Sequence, residues 1–343
     1  MRAIVFEMQG GIETLAVQDV PIPEIGPTEV LVRVRACGLN HLDLMMRSGT
    51  LPGKVATPHI AGSEVAGDIE RVGEAVSSVR AGLAVVIAPY LFCGQCEFCL
   101  AGEETLCLRG DILGLNSRGG YAEYVAAPAE SVLPIPEGVS HVEAAAVTLA
   151  ALSAWHMLIT RARIRAGETV LVLAGGSGVG SAAIQIAKLA GCRVIATAST
   201  EDKLDKARQL GADEVINYAG GEFLPEVRRL TGKRGVDVVV EHVGAATWDQ
   251  SVNALARNGR LVTCGATTGR QAAINIWNVF AKQQTLIGSY GGTRAELRHV
   301  LDLVARGALK PVIHSTLPLE EAGRAQRILE DRAQFGKVLL TVT

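Results

Sequence analysis

The sequence predicts an α/β protein of two domains. Its 343 residues exceed the length of a typical single domain, about 100–200 residues. Short alternating strands divided by glycine and proline fill roughly the first 130 residues, a pattern typical of a compact, mostly antiparallel β domain. From Gly167 onward strands alternate with helices, and this order predicts βαβ units and a parallel sheet.

The composition agrees with this fold class and excludes several functions. Hydrophobic residues make up 48% and charged residues 20%, so a large core can be buried, and the 38 glycines suit tight strand-to-helix turns. A net charge of −2 with scattered basic residues offers no general attraction for nucleic acid or an anionic membrane. No apolar stretch approaches the ~18 residues of a membrane span, so we expect a cytoplasmic protein without either partner.

The strand and helix patterns can be placed along the chain. In the first part, residues 29–35 and 85–88 read as strands and residues 142–159 as a helix. The continuous apolar run at 169–174 predicts a buried strand, followed by a helix at 179–190. Further strands are predicted at 193–197, 214–217, 236–240, 260–264 and 285–287, with a helix at 202–210. The tail reads as helices at 293–306 and 319–331 and a last strand at 337–342.

A glycine-rich turn joins the strand at 169–174 to the helix after it. Glycines allow a tight turn, and the first turn of the helix offers N–H groups and a positive dipole end to a pyrophosphate. We therefore predict a dinucleotide site here, although the spacing is not a clean G-x-G-x-x-G because a serine holds the middle glycine position. The alternative is a structural turn that binds another ligand. The predicted contacts are Gly175, Ser177, Gly178, Val179 and Gly180.

The end of the next strand favours NADPH over NAD. An NAD site normally carries an acid there for the ribose 2′-hydroxyl, but the expected position holds Ala198. The side chains of Ser199, Thr200 and Lys203 can instead meet a 2′-phosphate. NAD stays possible, and the alternative for Lys203 is a solvated helix residue.

Four of the seven cysteines lie within fifteen residues, with the spacing Cys-x2-Cys-x2-Cys-x7-Cys. In a reducing compartment such a cluster favours a metal site over disulfides. Four thiolates close a tetrahedral site with no open position, so we predict one structural zinc ion per chain that pins a loop. Free thiols and redox sensing are the alternatives. The predicted ligands are Cys93, Cys96, Cys99 and Cys107.

Over its whole length the chain resembles the medium-chain dehydrogenase/reductase family. It is similar to zinc-binding alcohol dehydrogenases in the cysteine lobe and to quinone oxidoreductases in the glycine turn and active-site strip. The resemblance implies a chaperonin-10-like catalytic domain of residues 1–150 and 290–343, with the zinc lobe near 90–110. It further implies a doubly wound (Rossmann) nucleotide domain of residues 151–289 and a cofactor in the cleft between the two domains.

The same resemblance shows where a catalytic zinc ion would be held, and the ligands are missing. The first expected ligand, in a motif like C-G-x-C-H-x-D, is replaced by Asn40. The second, a histidine in G-H-E, is replaced by Ser63, and the third falls near the apolar Leu149 or Ala150. The resemblance therefore argues against zinc-assisted alcohol oxidation.

Organic groups remain as candidates for catalysis. The resemblance to quinone oxidoreductases implies that Asn40 hydrogen-bonds a substrate carbonyl, and His41 can deliver a proton or meet the pyrophosphate. His59 is a weaker candidate, and either histidine can instead be a hydrogen-bonded structural residue. A noncanonical metal site formed by His41, Asp43, His59 and Glu64 is a further alternative.

Several other positions match cofactor-side residues of the family. The segment at Tyr218 resembles one that lies near the adenosine, and the segments at Gly244, Gly265 and Ser289 resemble ones along the cofactor. Lys337 belongs to a matching C-terminal Gly-Lys pair.

Together these features predict an NADPH-dependent oxidoreductase that transfers hydride to quinones or α,β-unsaturated carbonyls without a catalytic zinc ion. The alternatives are an alcohol or aldehyde dehydrogenase and a nucleotide-binding protein without enzymatic activity. The resemblance also implies a homodimer or homotetramer.

Overall fold

The computed structural model describes residues 1–53 and 55–342. Its strands are β1 (Arg2–Phe6), β2 (Leu15–Asp19), β3 (Glu29–Gly38), β4 (Glu64–Val72), β5 (Ala84–Ile87), β6 (Tyr90–Leu91), β7 (Asp111–Ile112), β8 (Tyr124–Pro128), β9 (Val132–Pro134), β10 (Thr169–Val172), β11 (Arg193–Ala198), β12 (Glu214–Asn217), β13 (Val236–Glu241), β14 (Leu255–Thr263), β15 (Thr285–Gly288), β16 (Ile313–Pro318) and β17 (Lys337–Thr341).

The helices are α1 (His41–Ser48), α2 (Glu97–Leu100), α3 (His141–Val147), α4 (Ala150–Trp155), α5 (Gly178–Leu189), α6 (Glu201–Gln209), α7 (Leu224–Leu230), α8 (Ala245–Ala254), α9 (Ile276–Ala281), α10 (Arg294–Ala305) and α11 (Ala322–Glu330). A π-helical turn, His156–Arg161, continues α4. Short 3-10 turns are found at Ile12–Thr14, Glu104–Leu106, Ala129–Ser131 and Leu319–Glu321.

The chain divides into two units. Unit 1 consists of Met1–Leu149 with Gly292–Thr343, and unit 2 consists of Ala150–Gly291. The main sheet of unit 1 has the strand order β16-β17-β3-β4-β5-β9, with β8 also pairing with β3. These pairs are antiparallel except for β16 with β17. The predicted antiparallel β domain is confirmed.

Unit 2 contains the predicted parallel sheet. Its strand order is β12-β11-β10-β13-β14-β15, and every neighbouring pair is parallel. Val170, Leu171 and Val172 of the central strand β10 are fully buried, as expected for a parallel strand covered on both faces. After β10 the chain adds β11 and β12 on one side of it, and then returns to add β13, β14 and β15 on the other side. This strand order is that of a doubly wound nucleotide-binding fold.

Two predicted elements differ from the observed ones. The helix expected at 142–159 is broken between α3 and α4, because the N–H of Leu149 donates to Glu64 Oε1 (2.8 Å) and not to a helical carbonyl. Strand β14 begins at Leu255, five residues before the predicted start. In the described part of the chain, no single helix is long and apolar enough to cross a membrane, and the mostly buried segments 141–147 and 150–161 meet that test only when taken together.

Helix α1 is anchored by a buried carboxylate. Asp43 Oδ2 accepts hydrogen bonds from the backbone N–H of Asn40 (2.8 Å) and from the hydroxyl of Tyr121 (2.8 Å). Asp43 is fully buried, and this burial raises the pKa of its carboxyl to about 6. The ionised form is therefore less stable in the folded protein than in the unfolded chain.

This shift predicts a pH-dependent effect of Asp43→Asn. Because the folded pKa lies above the unfolded one, the wild type loses stability as the pH rises from about 4 to about 6, and then levels off. The amide keeps one oxygen for both hydrogen bonds and carries no charge. We therefore expect the variant to exceed the wild type by about 1–3 kcal/mol in free energy of unfolding at pH 7.5.

Chemical denaturation at pH 4 and pH 7.5 measures this difference, which should disappear at the lower pH. Asp331→Asn, at an exposed position, is the control and should change stability little at either pH. If Asp43→Asn were less stable than the wild type at pH 7.5, the raised pKa of the Asp43 carboxyl would be contradicted.

Candidate active site

Three strand ends in unit 1 meet at one place because of their register. Strand β17 runs antiparallel to β3 with Leu339 opposite Gly38, so Lys337 comes beside Asn40, two residues beyond the pair. On the other side of β3, Gly38 is opposite Glu64, the first residue of β4. An amide, an amine and a carboxylate from distant parts of the sequence are thereby brought together.

The Lys337 amine is the centre of this group. Its Nζ donates to the carbonyl of Leu39 (2.6 Å) and to Asn40 Oδ1 (2.9 Å), and it forms an ion pair with Glu64 Oε2 (2.5 Å). Lys337 is 5% exposed and Glu64 is fully buried. A side chain at Gly38 would come within 2.2 Å of Glu64 Oε2, so glycine there leaves room for the carboxylate. An ammonium group has three N–H donors; two of them are used by Leu39 and Asn40, and its positive charge faces the Glu64 carboxylate.

This arrangement fixes the orientation of the Asn40 amide. Its oxygen accepts from Lys337, so its nitrogen, Nδ2, is the remaining donor, and among the described residues it has no acceptor. The hydroxyl of Ser63 is fully buried and likewise has no partner among the described residues. Buried polar atoms are normally satisfied, so each of these two groups has a hydrogen-bonding capacity that a ligand or a water molecule can fill.

The two candidate histidines have different surroundings. His41 is the first residue of α1 and is half-buried, and its pKa is lowered by burial and by the positive charges of Arg332 and Lys337. Its imidazole is therefore mostly neutral near pH 7. His59 is buried, and its Nε2 lies 2.9 Å from the carbonyl oxygen of Gly114, as expected for a hydrogen-bonded structural histidine.

The four clustered cysteines form a compact group in unit 1. Their sulfur atoms all lie within 4.8 Å of one another, with 3.9 Å between Cys93 and Cys99 and 3.5 Å between Cys96 and Cys99. A tetrahedral zinc ion with Zn–S bonds of ~2.3 Å holds its sulfurs about 3.8 Å apart, so the group fits a structural zinc ion. Across residues 1–53 and 55–342, the set His41, Asp43, His59 and Glu64 forms no comparable cluster.

Backbone groups prepare these thiols for a metal. Cys107 Sγ accepts from the N–H groups of Cys93 (3.3 Å) and Arg109 (3.4 Å). Hydrogen bonds from the backbone, first of all from Gln95, lower the pKa of Cys93 to about 5. The lowered pKa favours the thiolate of Cys93, whereas burial and the neighbouring Cys96 raise the pKa of Cys99 to about 12.

Arg294, at the start of α10, links the segment that carries the four cysteines (the cysteine lobe) to the rest of unit 1. Arg294 forms an ion pair with Glu104 (3.1 Å), and its guanidinium lies over the ring of Phe92, 4.4 Å from the centroid. It also donates to the carbonyl oxygen of Glu130 (2.6 Å). These contacts hold the cysteine lobe against the start of α10, and the role of a zinc ion in fixing the loop stays a prediction.

The serine in the glycine-rich turn of unit 2 has a structural role. Ser177 is the N-cap of α5, and its hydroxyl accepts from the N–H of Gly180 (2.9 Å). A side chain at Gly180 would lie 2.3 Å from the carbonyl oxygen of Ala174, so only glycine allows the close approach of helix and strand. The first turn of α5, which includes Gly178 and Val179, is thereby aimed past the end of β10, where a pyrophosphate is bound in this fold.

A histidine that the sequence analysis missed lies at this turn. The hydroxyl of Ser177 is 2.9 Å from His242 Nε2. His242 directly follows β13, and the buried carboxylate of Glu241 accepts the N–H groups of Val243 and Gly244, which shapes the turn after that strand. A polar residue directly after a buried parallel strand was the signal that could have identified it.

The remaining cofactor candidates of unit 2 share one location, the carboxyl end of the parallel sheet. Ligands of open α/β sheets bind at this edge. Gly175 also lies here, with its N–H bonded to the carbonyl of Thr197 (2.7 Å). The positions are Ser199 and Thr200 after β11, Tyr218 after β12, Gly244 after β13, Gly265 after β14 and Ser289 after β15.

The acids near Thr200 are already engaged. Thr200 caps α6 by accepting from the N–H of Lys203 (3.3 Å). Glu201 accepts from the side chain of Asn217 (3.1 Å), and Asp202 pairs with Lys206 (2.7 Å). Both acids lie in the first turn of α6, where the helix dipole favours negative charge.

Lys337 belongs to unit 1, where its amine contacts the carbonyl of Leu39, Asn40 Oδ1 and the Glu64 carboxylate. Its contact with a cofactor stays a prediction.

Comparison with known proteins agrees with both halves of this description. Residues 26–137 match the alcohol dehydrogenase GroES-like domain, and residues 178–306 match the zinc-binding dehydrogenase domain. An alcohol dehydrogenase of Geobacillus stearothermophilus is 36% identical, covering 96% of each chain. A quinone oxidoreductase of Rattus norvegicus is 33% identical, covering 99% of this chain and 97% of the relative.

A crystal structure described as an NAD-dependent alcohol dehydrogenase is 47% identical, with a TM-score of 0.96 and complete coverage of both chains. The fold, the cysteine cluster and these relatives lead to one assignment. The chain belongs to the medium-chain dehydrogenase/reductase family and is an oxidoreductase of the zinc-binding alcohol dehydrogenase and quinone oxidoreductase type.

Proposed function

We propose that the protein is an NADPH-dependent reductase of quinones or α,β-unsaturated carbonyls that works without a catalytic zinc ion. The observation that carries the proposal is the Asn40 amide. Lys337 holds its oxygen, and its nitrogen is a buried donor without an acceptor among the described residues. Such a donor suits a substrate carbonyl oxygen, on which negative charge develops during hydride transfer.

The charge distribution at this place supports chemistry without a metal. The family position of the first zinc ligand holds Asn40, whose oxygen already accepts a hydrogen bond from the ammonium of Lys337. The same ammonium pairs with Glu64. A divalent cation at the position of Asn40 would meet the buried positive charge of Lys337, which already pairs with the Glu64 carboxylate, and an amide is a weak ligand for it.

The residues of the chain have separate parts in the proposed reaction. The glycine-rich turn from Gly175 to Gly180 would hold the dinucleotide, and a reduced nicotinamide bound there would supply the hydride to the substrate. The Asn40 Nδ2 group donates to the carbonyl oxygen, and Lys337 keeps the amide oriented. A proton completes the two-electron reduction: it adds to the α carbon of an enone or to an oxygen of a quinone, which gives the hydroquinone. Water is the favoured proton source and His41 is the second candidate. The lowered pKa of His41 leaves its imidazole mostly neutral, and a neutral imidazole is a weaker proton donor than an imidazolium.

The preference for NADPH rests on the end of β11. Ala198 stands where an NAD site carries an acid, and Lys203 follows in the first turn of α6. The nearby acids Glu201 and Asp202 are engaged with Asn217 and Lys206. One observation favours NAD instead. The 47% identical structure is described as an NAD-dependent alcohol dehydrogenase, and this description applies to that protein.

Alcohol or aldehyde oxidation is the second candidate, because several relatives carry the name alcohol dehydrogenase. That reaction in zinc enzymes uses a Lewis acid to stabilise the alkoxide. The metal content of the protein therefore distinguishes the two candidates.

The first prediction concerns turnover. Purified protein should oxidise NADPH in the presence of a panel of enones and quinones, with kcat/KM for NADPH exceeding that for NADH by about tenfold or more. Asn40→Ala should lower kcat by about a hundredfold, because it removes the donor to the developing oxyanion. The readout is NADPH absorbance.

Asn116→Ala is the matched control, since it removes an asparagine from an exposed position in the same unit. It should leave kcat unchanged. No oxidation of either cofactor across the panel would rule out the proposed reaction, and equal losses in both variants would rule out the role of Asn40.

The second prediction concerns zinc. Elemental analysis should find one zinc ion per chain, because the four-cysteine group is the one such ligand set among residues 1–53 and 55–342. Cys96→Ser should lose most of this zinc and unfold at a lower temperature, whereas Cys264→Ser, outside the cluster, should retain it. Two zinc ions per chain would contradict the proposal and favour the alcohol dehydrogenase alternative.

We also propose that the protein is a homodimer or homotetramer in the cytoplasm. Strand β15 lies at the end of the sheet order in unit 2. Large apolar side chains near this edge are exposed, among them Ile276 (72%), Trp277 (69%) and Phe280 (57%). An edge strand flanked by apolar surface suits pairing with a second copy. The seven free cysteines suit a reducing compartment.

Light scattering tests the association. We expect a mass of two or four times 36.0 kDa for the wild type. Trp277→Lys should lower the mass toward one chain, because it places a charge in the apolar surface. Leu189→Lys, at an exposed leucine elsewhere in unit 2, should not change the measured mass. A wild-type mass of one chain would exclude this association.

A further inference from the structure

Unit 2 contains a cationic pocket that none of the preceding functions uses. The pocket has a volume of about 830 Å³, within the ~300–1,000 Å³ typical of small-molecule sites. No acidic residue is among those that line it. Because the whole chain carries a net charge of −2, this is a local concentration of positive charge. The cationic lining residues are Arg228, Arg229, Lys233, Arg234, Arg257 and Lys282.

The pocket lies at the opposite end of the sheet from the glycine-rich turn. It is lined by Gly235, which directly precedes β13, whereas the cofactor candidates follow the carboxyl ends of the strands. The six residues of β13 separate the two ends by about 20 Å. The pocket is therefore distinct from the dinucleotide site.

Most of these cations are not neutralised by the protein. Arg229 pairs with Glu226 (2.6 Å) and Arg234 with Asp237 (2.6 Å). In the described part of the chain, the other four have no acidic partner: Arg228, Lys233, Arg257 and Lys282.

Local helix stability accounts for only part of the cluster. Arg228 lies in the last turn of α7, where the helix dipole favours a cation, and Lys233 follows in the turn after it. Arg257 and Lys282 come from β14 and from the end of α9, so this explanation does not reach them. Lys233 also adopts a left-handed conformation (φ 66°), which costs a non-glycine residue about 1–2 kcal/mol. Unpaired and mostly exposed cations from three parts of the chain give this pocket a positive potential that favours an anion.

We propose that this pocket binds a small anion carrying two or more phosphoryl groups. Several cations spread around a concave site can contact the oxygens of several linked phosphoryl groups at once. A single phosphate is too small to contact all of these cations. Leu224, Pro225 and Leu255 add apolar surface to the lining, and they can contact the uncharged part of a nucleotide.

Calorimetric titration of the full-length protein tests the proposal. One equivalent of NADPH per chain is added first to occupy the dinucleotide site, and inorganic tripolyphosphate, orthophosphate and ATP are then titrated separately at low salt. Tripolyphosphate should bind saturably, about tenfold or more tighter than orthophosphate, and its affinity should fall as salt is added.

A charge-matched pair of variants locates the binding. Arg228→Ala/Lys233→Ala should weaken tripolyphosphate binding about tenfold or more. Arg298→Ala/Arg306→Ala removes two exposed cations of unit 1, one in α10 and one directly after it, and should change tripolyphosphate binding less than twofold. Tighter binding of ATP than of tripolyphosphate would identify a nucleotide as the source of the phosphoryl groups, and equal binding would identify the phosphates alone. Absence of saturable binding, or equal loss in both variants, would overturn the proposal.

Discussion

The buried ion pair between Lys337 and Glu64 is the constraint on which the candidate active site of unit 1 depends. Two charges taken out of water are costly, and their attraction offsets that cost only if the geometry is good and the remaining donors are satisfied. Here the carbonyl of Leu39 and the amide oxygen of Asn40 complete the amine's contacts. The orientation of Asn40 follows from this requirement, because its oxygen must face the ammonium.

The ion pair in turn depends on the register of three strands. A slip of one residue between β3 and β17 would turn Lys337 to the other face of the sheet and leave Glu64 buried without a counter-ion. Gly38 is part of the same constraint, since any side chain there would collide with the carboxylate. The sheet positions these side chains through its backbone hydrogen bonds, and a rigid scaffold suits a group that must present one donor to a substrate.

Unit 2 uses its parallel sheet differently at its two ends. At the carboxyl ends of the strands, helix N-termini and glycine turns offer N–H groups, which suit a pyrophosphate. At the amino ends, positive charge is supplied by side chains, because helix C-termini there carry the negative end of the dipole. A parallel sheet therefore creates two chemically different edges, and the two predicted anion sites of unit 2 use different means of attraction.

Much of the fold could be predicted from the sequence because it is written in local patterns. The alternation of strand and helix after Gly167, the glycine-rich turn and the cysteine spacing each lie within a short stretch of chain, and each is found in the structure as a local unit. The exact helix break at Leu149 could not be predicted, since it depends on a hydrogen bond to Glu64, 85 residues away.

The arrangement of the candidate active site was decided by the tertiary structure. Asn40 was identified from its motif, but its partner Lys337 lies 297 residues later in the chain, and only the pairing of β17 with β3 brings the two together. His242 was missed for the same reason, because its contact with Ser177 spans two neighbouring strands. A sequence specifies local conformation through nearest neighbours and periodicity, whereas the partner of a buried polar group is set by which strands pair and in which register.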